Sequence, residues 1–284
     1  MQKPLAVITG ANSGMGLAAS VEMAKRGYRV VMVCRHIGRG QEALAEAFKR
    51  SASGDLDLMI CDLGSLSSIR RFAAEFNSKY DTLDVLINNA GVVSLKRQET
   101  SDGFEAMMGV NHLGHFLLTN LLLPNLLQAE QGRIVVVSSG IHKIGDIRYA
   151  DPHFRKGYTV WSGYAQSKLA NILFTKELAR RLTGTSVTVN CLHPGAVATR
   201  IGVDRQTGFG KRILAMLKPV FLTPEQGADT AVYLATSPEV RGVNGDYFYK
   251  RKVSPLPAKA KDPEQAARLW EWSEKEVGWE GPGE

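Results

Sequence analysis

The stretch TGANSGMG, residues 9–16, decides the fold of this chain of 284 residues. It follows an apolar run at residues 5–9 and opens a helix-like segment at residues 15–25. Its three glycines permit a tight turn and a close approach of the backbone to a pyrophosphate, and the helix start supplies unpaired N–H groups. The order G-x-x-x-G-x-G differs from the commoner dinucleotide pattern G-x-G-x-x-G. Between a first strand and a first helix, the stretch predicts a loop that binds nucleotide phosphates.

Outward from this loop, short apolar runs alternate with longer helix-like segments. The predicted strands are residues 5–9, 29–34, 56–60, 85–88, 134–138 and 187–191. The predicted helices are residues 15–25, 39–50, 66–79, 104–127, 164–182 and 263–277. Nearly continuous apolar strands are typical of a sheet covered on both faces. The alternation predicts an α/β fold, a Rossmann-type, doubly wound and mainly parallel sheet with helices on both faces, whose ligands bind at the carboxyl ends of the strands.

The composition is that of an ordinary globular protein. Hydrophobic residues make up 44% and charged residues 22% of the chain, which excludes disordered, collagen-like and disulfide-dense classes. No shift in composition marks a second domain, so we expect one domain over residues 1–284, ending in a basic connector and a helix from about residue 250. Three cysteines in or beside apolar runs are predicted to be reduced core residues of a cytoplasmic protein: Cys34, Cys61 and Cys191.

The net charge of +7 alone is compatible with nucleic acid, a membrane surface or a phosphate-rich ligand. Five positive charges lie in KRKVSPLPAKAK, residues 250–261, which we interpret as a solvated connector, with a basic patch for anionic lipid or a partner as the alternative. Nucleic-acid binding is not expected, because the positive charges fall in this connector or at a predicted phosphate site. The N-terminus lacks signal-peptide features, and the longest apolar stretch, residues 116–127, is too short to span a bilayer.

The residues after the second predicted strand distinguish the two nicotinamide cofactors. An acidic residue at this point bonds the adenosine ribose and repels a 2′-phosphate. This chain has Cys34 and then Arg35, with Arg39 one turn further on, and guanidinium groups pair with phosphate in a forked geometry. We therefore expect NADP (NADPH) in preference to NAD, with a solvated loop residue as the alternative role of Arg35. Asp62, after the third strand, is placed to accept from an adenine amino group or to cap the next helix.

Candidate catalytic side chains follow the fifth predicted strand. Tyr164 and Lys168, in YAQSK, are i and i+4 and share one helix face. A phenol has a reference pKa near 10, and a nearby ammonium favours the phenolate, which suits the pair to acid and base chemistry. Ser138 and Ser139 end the strand and carry hydroxyls that can bond a carbonyl oxygen. Asn111 falls mid-helix, where asparagine is a poor helix former, so a functional role is favoured.

Two further motifs end predicted strands. NNAG, residues 88–91, places small residues and amides after the fourth strand. HPG, residues 193–195, follows the sixth strand, and Thr199 adds a hydroxyl four residues past Gly195 that can meet a carboxamide. Polar groups thus gather at the carboxyl ends of successive strands, where a parallel sheet binds its ligand. This coincidence predicts an active site beside the nucleotide.

With these residues the chain resembles the short-chain dehydrogenase/reductase family up to its final helix. The likeness is carried by TGANSGMG, NNAG, Asn111, Ser139, YAQSK and the PG followed by Thr199. Within the family, VNHLGHFLLT, RIVVVSSGIHKIG and VNCLHPGAV are similar to the branch of retinol dehydrogenase-like enzymes, WW-domain oxidoreductase and protochlorophyllide reductase.

The resemblance implies a catalytic tetrad of Asn111, Ser139, Tyr164 and Lys168. Tyr164 would exchange a proton with the substrate oxygen, and Ser139, rather than Ser138, would hold that oxygen. Lys168 would lower the Tyr164 pKa and bind the nicotinamide ribose, and Asn111 would anchor a water of the proton relay. The implied cofactor contacts are Gly10, Asn12, Ser13, Gly14, Met15, Gly16, Arg35, Arg39, Asp62, Leu63, Asn89, Ala90, Gly91, Tyr164, Lys168, Pro194, Gly195, Val197 and Thr199.

Two departures from the family pattern concern the substrate. Ser139 and Tyr164 are 25 residues apart, more than is usual in the wider family. The segment between them is rich in aromatic side chains that line or cover an apolar pocket: Tyr149, His153, Phe154, Tyr158 and Trp161. The animal retinoid enzymes of the branch also carry an N-terminal membrane anchor, and none is predicted here.

The sequence therefore predicts an NADP(H)-dependent oxidoreductase that interconverts a carbonyl and an alcohol on a lipophilic small molecule, as a monomer or homodimer. Reduction of a conjugated C=C bond is one alternative, and a non-catalytic nucleotide-binding interaction protein is another. No metal site is expected, because His112 and His115 lack a third ligand. His142 and His193 are interpreted as hydrogen-bonded histidines, with substrate contact as the alternative.

Overall fold

A computed structural model describes residues 3–195 and 222–281. Its central feature in this part of the chain is an eight-stranded sheet with the order β3-β2-β1-β4-β5-β6-β7-β8. The strands are β1 Leu5–Thr9, β2 Arg29–Cys34, β3 Leu56–Ile60, β4 Val85–Asn88, β5 Arg133–Val137, β6 Thr188–Leu192, β7 Tyr247–Tyr249 and β8 Lys252–Val253. Neighbouring strands are parallel except β7 and β8, which are antiparallel. The order steps outward from β1 in both directions, so the carboxyl ends of β1 and β4 flank the switch point where doubly wound sheets bind ligands.

Helices cover both faces of the sheet. They are α1 Gly14–Lys25, α2 Ile37–Ser51, α3 Leu66–Lys79, α4 Ala106–Met108, α5 Gly114–Leu127, α6 Val160–Arg181, α7 Pro224–Thr236 and α8 Pro263–Val277. Because side chains alternate along a strand, β1 sends Leu5 and Val7 into one core, and Ala6 and Ile8 into the other. The first core lies beneath α3, α5, α6 and α8, and the second beneath α1, α2 and α7. The Rossmann-type sheet predicted from the sequence is thus confirmed.

Most predicted boundaries agree with the structure to within one or two residues. The exceptions are helix α6, which begins four residues before the predicted start, and the predicted helix 104–127, which begins at Ala106 and contains a π-helical turn. The second consists of α4, a π-helical turn at Gly109–Leu113, and α5. A Cβ on Gly114 would lie 2.4 Å from the Leu63 carbonyl oxygen, so the chain passes too close to Leu63 for any larger residue. Asn111 lies within this π-turn. Single π-turns inside α-helices are frequent at functional sites.

Two charges of the basic connector bond to other parts of the protein. Lys250 and Arg251 join β7 to β8 at positive φ angles of 49° and 61°. Arg251 forms an ion pair with Asp229 of α7, and Lys259 donates to the Gly145 carbonyl. The ion pair of Arg251 is exposed, so these two charges hold the connector to the body of the protein while remaining accessible to solvent.

Helix α7 was not predicted, although the sequence carries its start signal. Thr223 and Gln226 form a capping box in which each side chain bonds the other's backbone N–H, and Pro224 takes the first helical position. Among residues 3–195 and 222–281, no helix is both long enough and apolar enough to cross a membrane.

Candidate active site

The loop between β1 and α1 leaves room for a ligand because its glycines pack on backbone. A Cβ on Gly16 would lie 2.3 Å from the Gly10 carbonyl oxygen and 2.7 Å from Asn89 Nδ2. Gly10 has φ of +66°, and a Cβ there would lie 2.9 Å from the Ala90 Cα. The Ser13 side chain at the N-cap of α1 makes no capping hydrogen bond. The helix therefore begins with N–H groups available to an anion.

A cavity of about 810 Å³ opens in front of this loop. Its lining includes these predicted cofactor-binding residues: Gly10, Asn12, Ser13, Gly14, Met15, Gly16, Arg35, Arg39, Asp62, Leu63, Asn89, Ala90 and Gly91. The cavity runs along the carboxyl ends of β1 to β4, the edge predicted for a dinucleotide. Its volume and its glycine-lined wall fit the adenosine and pyrophosphate part of a nicotinamide dinucleotide.

The far end of the cavity carries both signs of charge. Arg35, whose Nε donates to His36 Nε2 at 3.2 Å, and Arg39 lie there as predicted. Glu42 and Glu46 share this end and were missed from the sequence. They follow Arg39 at helical spacing on α2, so one face of the predicted helix was sufficient to find them.

Asp62 lies in the cavity wall after β3. Its Oδ1 accepts from the Gly64 N–H at 2.9 Å, which closes a tight turn. The N-cap of α3 is Ser65, whose side chain accepts from the Ser68 N–H, so the alternative role of Asp62 as that cap is wrong.

A polar cluster that the sequence did not reveal ties β1, β4 and α5 together. The Thr9 hydroxyl oxygen accepts from the N–H groups of Asn89 and Ala90, both at 2.9 Å. His115 Nδ1 lies 3.1 Å from the Asn111 carbonyl oxygen, which can only accept, so this nitrogen carries the proton. The Thr9 hydroxyl then donates to His115 Nε2 at 2.9 Å. Burial lowers the His115 pKa to about 4, which keeps the ring neutral in this arrangement.

Asn111 and Lys168 meet at Gly91, on the cavity wall. A Cβ on Gly91 would lie 3.4 Å from Asn111 Oδ1 and 3.6 Å from Lys168 Nζ. The Asn111 side chain accepts from the Val92 N–H at 2.7 Å and donates to the Ser167 hydroxyl at 3.0 Å. Its amide therefore holds the chain after NNAG against α6.

Ser138 and Ser139 have different surroundings. The buried Ser138 hydroxyl donates to the Lys168 carbonyl at 2.7 Å, so it is used to fasten β5 to α6. Ser139 begins the 3-10 turn Gly140–Ile144, and its side chain is near enough to Tyr164 to lower the pKa of the phenol. This difference favours Ser139 over Ser138 as the residue next to a reacting oxygen.

The electrostatics of Tyr164 and Lys168 are set by burial. Lys168 is 3% exposed, and its Nζ donates to the Val137 carbonyl at 3.0 Å. Burial lowers the Lys168 pKa to about 8, which leaves it mostly protonated at neutral pH. Burial raises the Tyr164 pKa, and the nearby Ser139 side chain lowers it by less. The net direction is opposite to the one expected from the sequence, because desolvation of the phenol is the largest effect; Lys168 Nζ lies 5.7 Å from the Tyr164 ring centroid.

The segment between Ser139 and Tyr164 packs against α6 and α8. The Gln166 side chain accepts from the Arg148 N–H at 2.9 Å and donates to the Pro152 carbonyl at 2.8 Å. The Tyr149 hydroxyl donates to the Gln265 carbonyl of α8 at 3.1 Å. The aromatic side chains of this segment therefore help to anchor the C-terminal helix.

The remaining predicted residues follow β6. Pro194 and Gly195, which the sequence predicts to form a turn, follow His193, and Gly195 has φ of +86°. Val197 and Thr199 lie outside the described residues. Of the other histidines considered, His112 contacts the Ser273 hydroxyl at 2.8 Å, and His142 Nδ1 lies 2.8 Å from the Ser139 carbonyl oxygen.

Comparison with known proteins gives one consistent family. The family model described as short chain dehydrogenase matches residues 4–208. Human retinol dehydrogenase 14 is 46% identical over 293 residues, covering 96% of this chain and 85% of that protein. Human retinol dehydrogenase 13 is 41% identical, covering 97% of this chain and 85% of that protein. A crystal structure of an uncharacterized protein from Mycobacterium Paratuberculosis, 36% identical, covers 99% of this chain and 95% of that one with a TM-score of 0.79.

Proposed function

Because this chain belongs to the short chain dehydrogenase family, in its retinol dehydrogenase-like branch, we propose that it interconverts a carbonyl and an alcohol with NADP(H). The substrate is a lipophilic small molecule of retinoid, steroid or xenobiotic type. One observation carries the proposal: a Cβ on Gly91, in the wall of the nucleotide cavity, would lie 3.6 Å from Lys168 Nζ, and Lys168 shares a helix face with Tyr164. Nucleotide and reacting groups thereby belong to one site.

The residues fit a nicotinamide cofactor. Gly10 and Gly16 leave no space for side chains where a pyrophosphate approaches the backbone, and the start of α1 offers N–H groups. Arg35 and Arg39 supply guanidinium groups for a 2′-phosphate, which supports NADP over NAD. When bound, the nicotinamide supplies or accepts the hydride, and the protein supplies orientation and electrostatics.

Tyr164 is the proton donor for carbonyl reduction. Since its raised pKa keeps the phenol protonated at neutral pH, its hydroxyl can donate to the carbonyl oxygen as the carbon gains a hydride. Ser139 orients that oxygen, and the Lys168 ammonium stabilises the phenolate left on Tyr164 until solvent returns a proton. In the oxidative direction, the phenolate takes the alcohol proton.

The proposal also covers the domain organisation, the oligomeric state, the partners and the location of the protein. Residues 1–284 form one oxidoreductase domain, as a monomer or homodimer, with no nucleic-acid partner. Three buried free cysteines, Cys34, Cys61 and Cys191, support a reducing, cytoplasmic location.

A cofactor-depletion screen tests the proposal. Purified protein is incubated with NADPH or NADH and with retinal, steroid ketones, quinones, aliphatic aldehydes or enones, and the products are identified by mass spectrometry. We expect NADPH oxidation with a lipophilic carbonyl and an alcohol product. A saturated ketone from an enone would instead identify C=C reduction, and no turnover with any substrate would favour a non-catalytic protein.

A further inference from the structure

Behind Ser139 lies a buried cluster made of His142, Tyr247 and His193. His142 belongs to the 3-10 turn that Ser139 begins, Tyr247 lies on β7, and His193 directly follows β6. The side chains of His142 and Tyr247 are almost fully buried. One Tyr247 hydroxyl faces the Nδ1 atoms of both imidazoles, at 2.6 Å from His193 and 3.4 Å from His142.

The positions of the protons follow from the acceptors. The Ser139 carbonyl oxygen, 2.8 Å from His142 Nδ1, can only accept, so this nitrogen carries the proton. His142 Nε2 has no partner among the described residues and remains an unprotonated acceptor. Tyr247 then has one acceptor left for its own proton, His193 Nδ1. If His142 Nδ1 carried no proton, its lone pair would face the lone pairs of the Ser139 carbonyl oxygen.

The surroundings keep both rings neutral. Burial is the main cause that lowers the pKa of His142 and that lowers the pKa of His193 to about 4. The nearby ammonium groups of Lys143 and Lys259 act in the same direction on His142. At neutral pH, His142 Nδ1–H therefore donates to the Ser139 carbonyl, and the Tyr247 hydroxyl donates to His193 Nδ1.

The cluster joins the two walls of the proposed site. At one end it holds the backbone carbonyl of Ser139, which also accepts from the His142 backbone N–H at 3.1 Å. At the other end, His193 stacks on Tyr249 at 4.1 Å and precedes the turn Pro194–Gly195. A Cβ on Gly140, the residue after Ser139, would lie 3.8 Å from the His193 ring. The ring therefore lies directly against the chain that carries Ser139.

We propose that His142, Tyr247 and His193 are positioning residues that fix Ser139 relative to the Pro194–Gly195 turn. The inference rests on the proposed function, which assigns Ser139 to the substrate oxygen and Pro194 and Gly195 to the cofactor. Hydride transfer depends steeply on this separation, since misplacing a reacting group by about 1 Å can reduce the rate about 100-fold. In this proposal the three side chains contact neither the substrate nor the nicotinamide. They act by fixing the positions of Ser139 and of the Pro194–Gly195 turn.

Histidine tautomers test the network without any turnover. The chain has six histidines, and ¹⁵N-labelled protein with single His→Gln variants assigns their ring signals. At neutral pH we expect His142 as the Nδ1–H tautomer and His193 as the Nε2–H tautomer. Tyr247→Phe removes the bond to His193 and is expected to shift the His193 Nδ1 signal. A His142 ring protonated at Nε2, or a His193 signal indifferent to Tyr247→Phe, overturns the inference.

Kinetics test the positioning role. We expect Tyr247→Phe to lower kcat roughly tenfold, within the range that misplacement causes, while KM for NADPH stays unchanged. The matched control is Tyr233→Phe, which also loses one hydroxyl bond, to Glu239 at 2.9 Å on the exposed surface, and should leave kcat unchanged.

A pair of substitutions at His142 separates positioning from stability. His142→Asn keeps an N–H donor near the Nδ1 position and should retain most of kcat, whereas His142→Leu should lose it to the same extent as Tyr247→Phe. Thermal unfolding verifies that each variant is folded. Equal kcat values for Asn and Leu, or full activity of Tyr247→Phe, contradict the inference. A wild type without turnover contradicts the proposed function instead, and the tautomers then decide on the network.

Discussion

Gly16→Ala perturbs the nucleotide loop by one methyl group. The added Cβ lies 2.3 Å from the Gly10 carbonyl oxygen and 2.7 Å from Asn89 Nδ2. Ordinary contact begins near 3.4 Å, so the backbone at Gly10 must move by about 1 Å. Neither neighbour can yield easily, because Gly10 packs on Ala90 and Asn89 Nδ2 donates to the Thr9 carbonyl at 2.8 Å. The substitution therefore displaces the pyrophosphate-binding backbone itself.

Overpacking of this kind costs about 1–3 kcal/mol. If the displacement falls on the bound conformation of the loop, the dissociation constant for NADPH rises about 5- to 150-fold. Calorimetric titration with NADPH measures this change, and circular dichroism verifies the fold. The control is Gly54→Ala, because a Cβ there meets nothing within 4 Å and this glycine precedes β3 at the opposite edge of the sheet. A folded Gly16→Ala protein that binds NADPH as tightly as Gly54→Ala would refute the reasoning.

Three further predictions address the charges and the core. Lys168 loses its proton as the pH rises through about 8, so kcat/KM for NADPH should fall there. Lys168→Arg should remove this fall, and a wild type whose kcat/KM does not change with pH would contradict the prediction. Arg35→Asp replaces a phosphate partner worth about 1.5–3 kcal/mol and should shift the NADPH to NADH affinity ratio about 10- to 100-fold toward NADH, and an unchanged ratio would assign the phosphate to another residue. Trp270→Ala removes a 4% exposed ring whose centroid lies 4.8 Å from that of Phe116. It should lower the free energy of unfolding, measured in urea, by about 3–5 kcal/mol. The control Trp161→Ala removes an exposed ring and should lower it by less than about 0.5 kcal/mol.

The strands were the most predictable part of the fold. Runs such as Arg29–Cys34 are bounded on both sides by residues of turns and helices, and their burial on both faces gives an apolar pattern with sharp ends. The β7–β8 hairpin was missed because Tyr247–Tyr249 spans only three residues and pairs with a strand distant in the sequence. The π-turn at Gly109–Leu113 precedes the close approach of Gly114 to Leu63, a tertiary contact that periodicity does not record.

The features of the candidate site also differ in how well the sequence predicts them. Residues at strand ends, such as Ser139 and Gly10, follow from the strand boundaries, since parallel strands end at one edge. The sign of the Tyr164 pKa shift did not follow, because it depends mainly on burial of the phenol, which spacing along a helix does not give. The partners of His142 were also hidden, because Tyr247 is 105 residues away in the sequence.

The central claim is that Tyr164 gives its proton to the substrate. The most direct test measures NADPH oxidation by Tyr164→Phe with the best carbonyl substrate of the wild type, together with the NADPH dissociation constant. The account predicts a loss of about 100- to 10,000-fold in kcat with an unchanged dissociation constant, since only the proton-donating hydroxyl is removed. Turnover by Tyr164→Phe at the wild-type rate would contradict it.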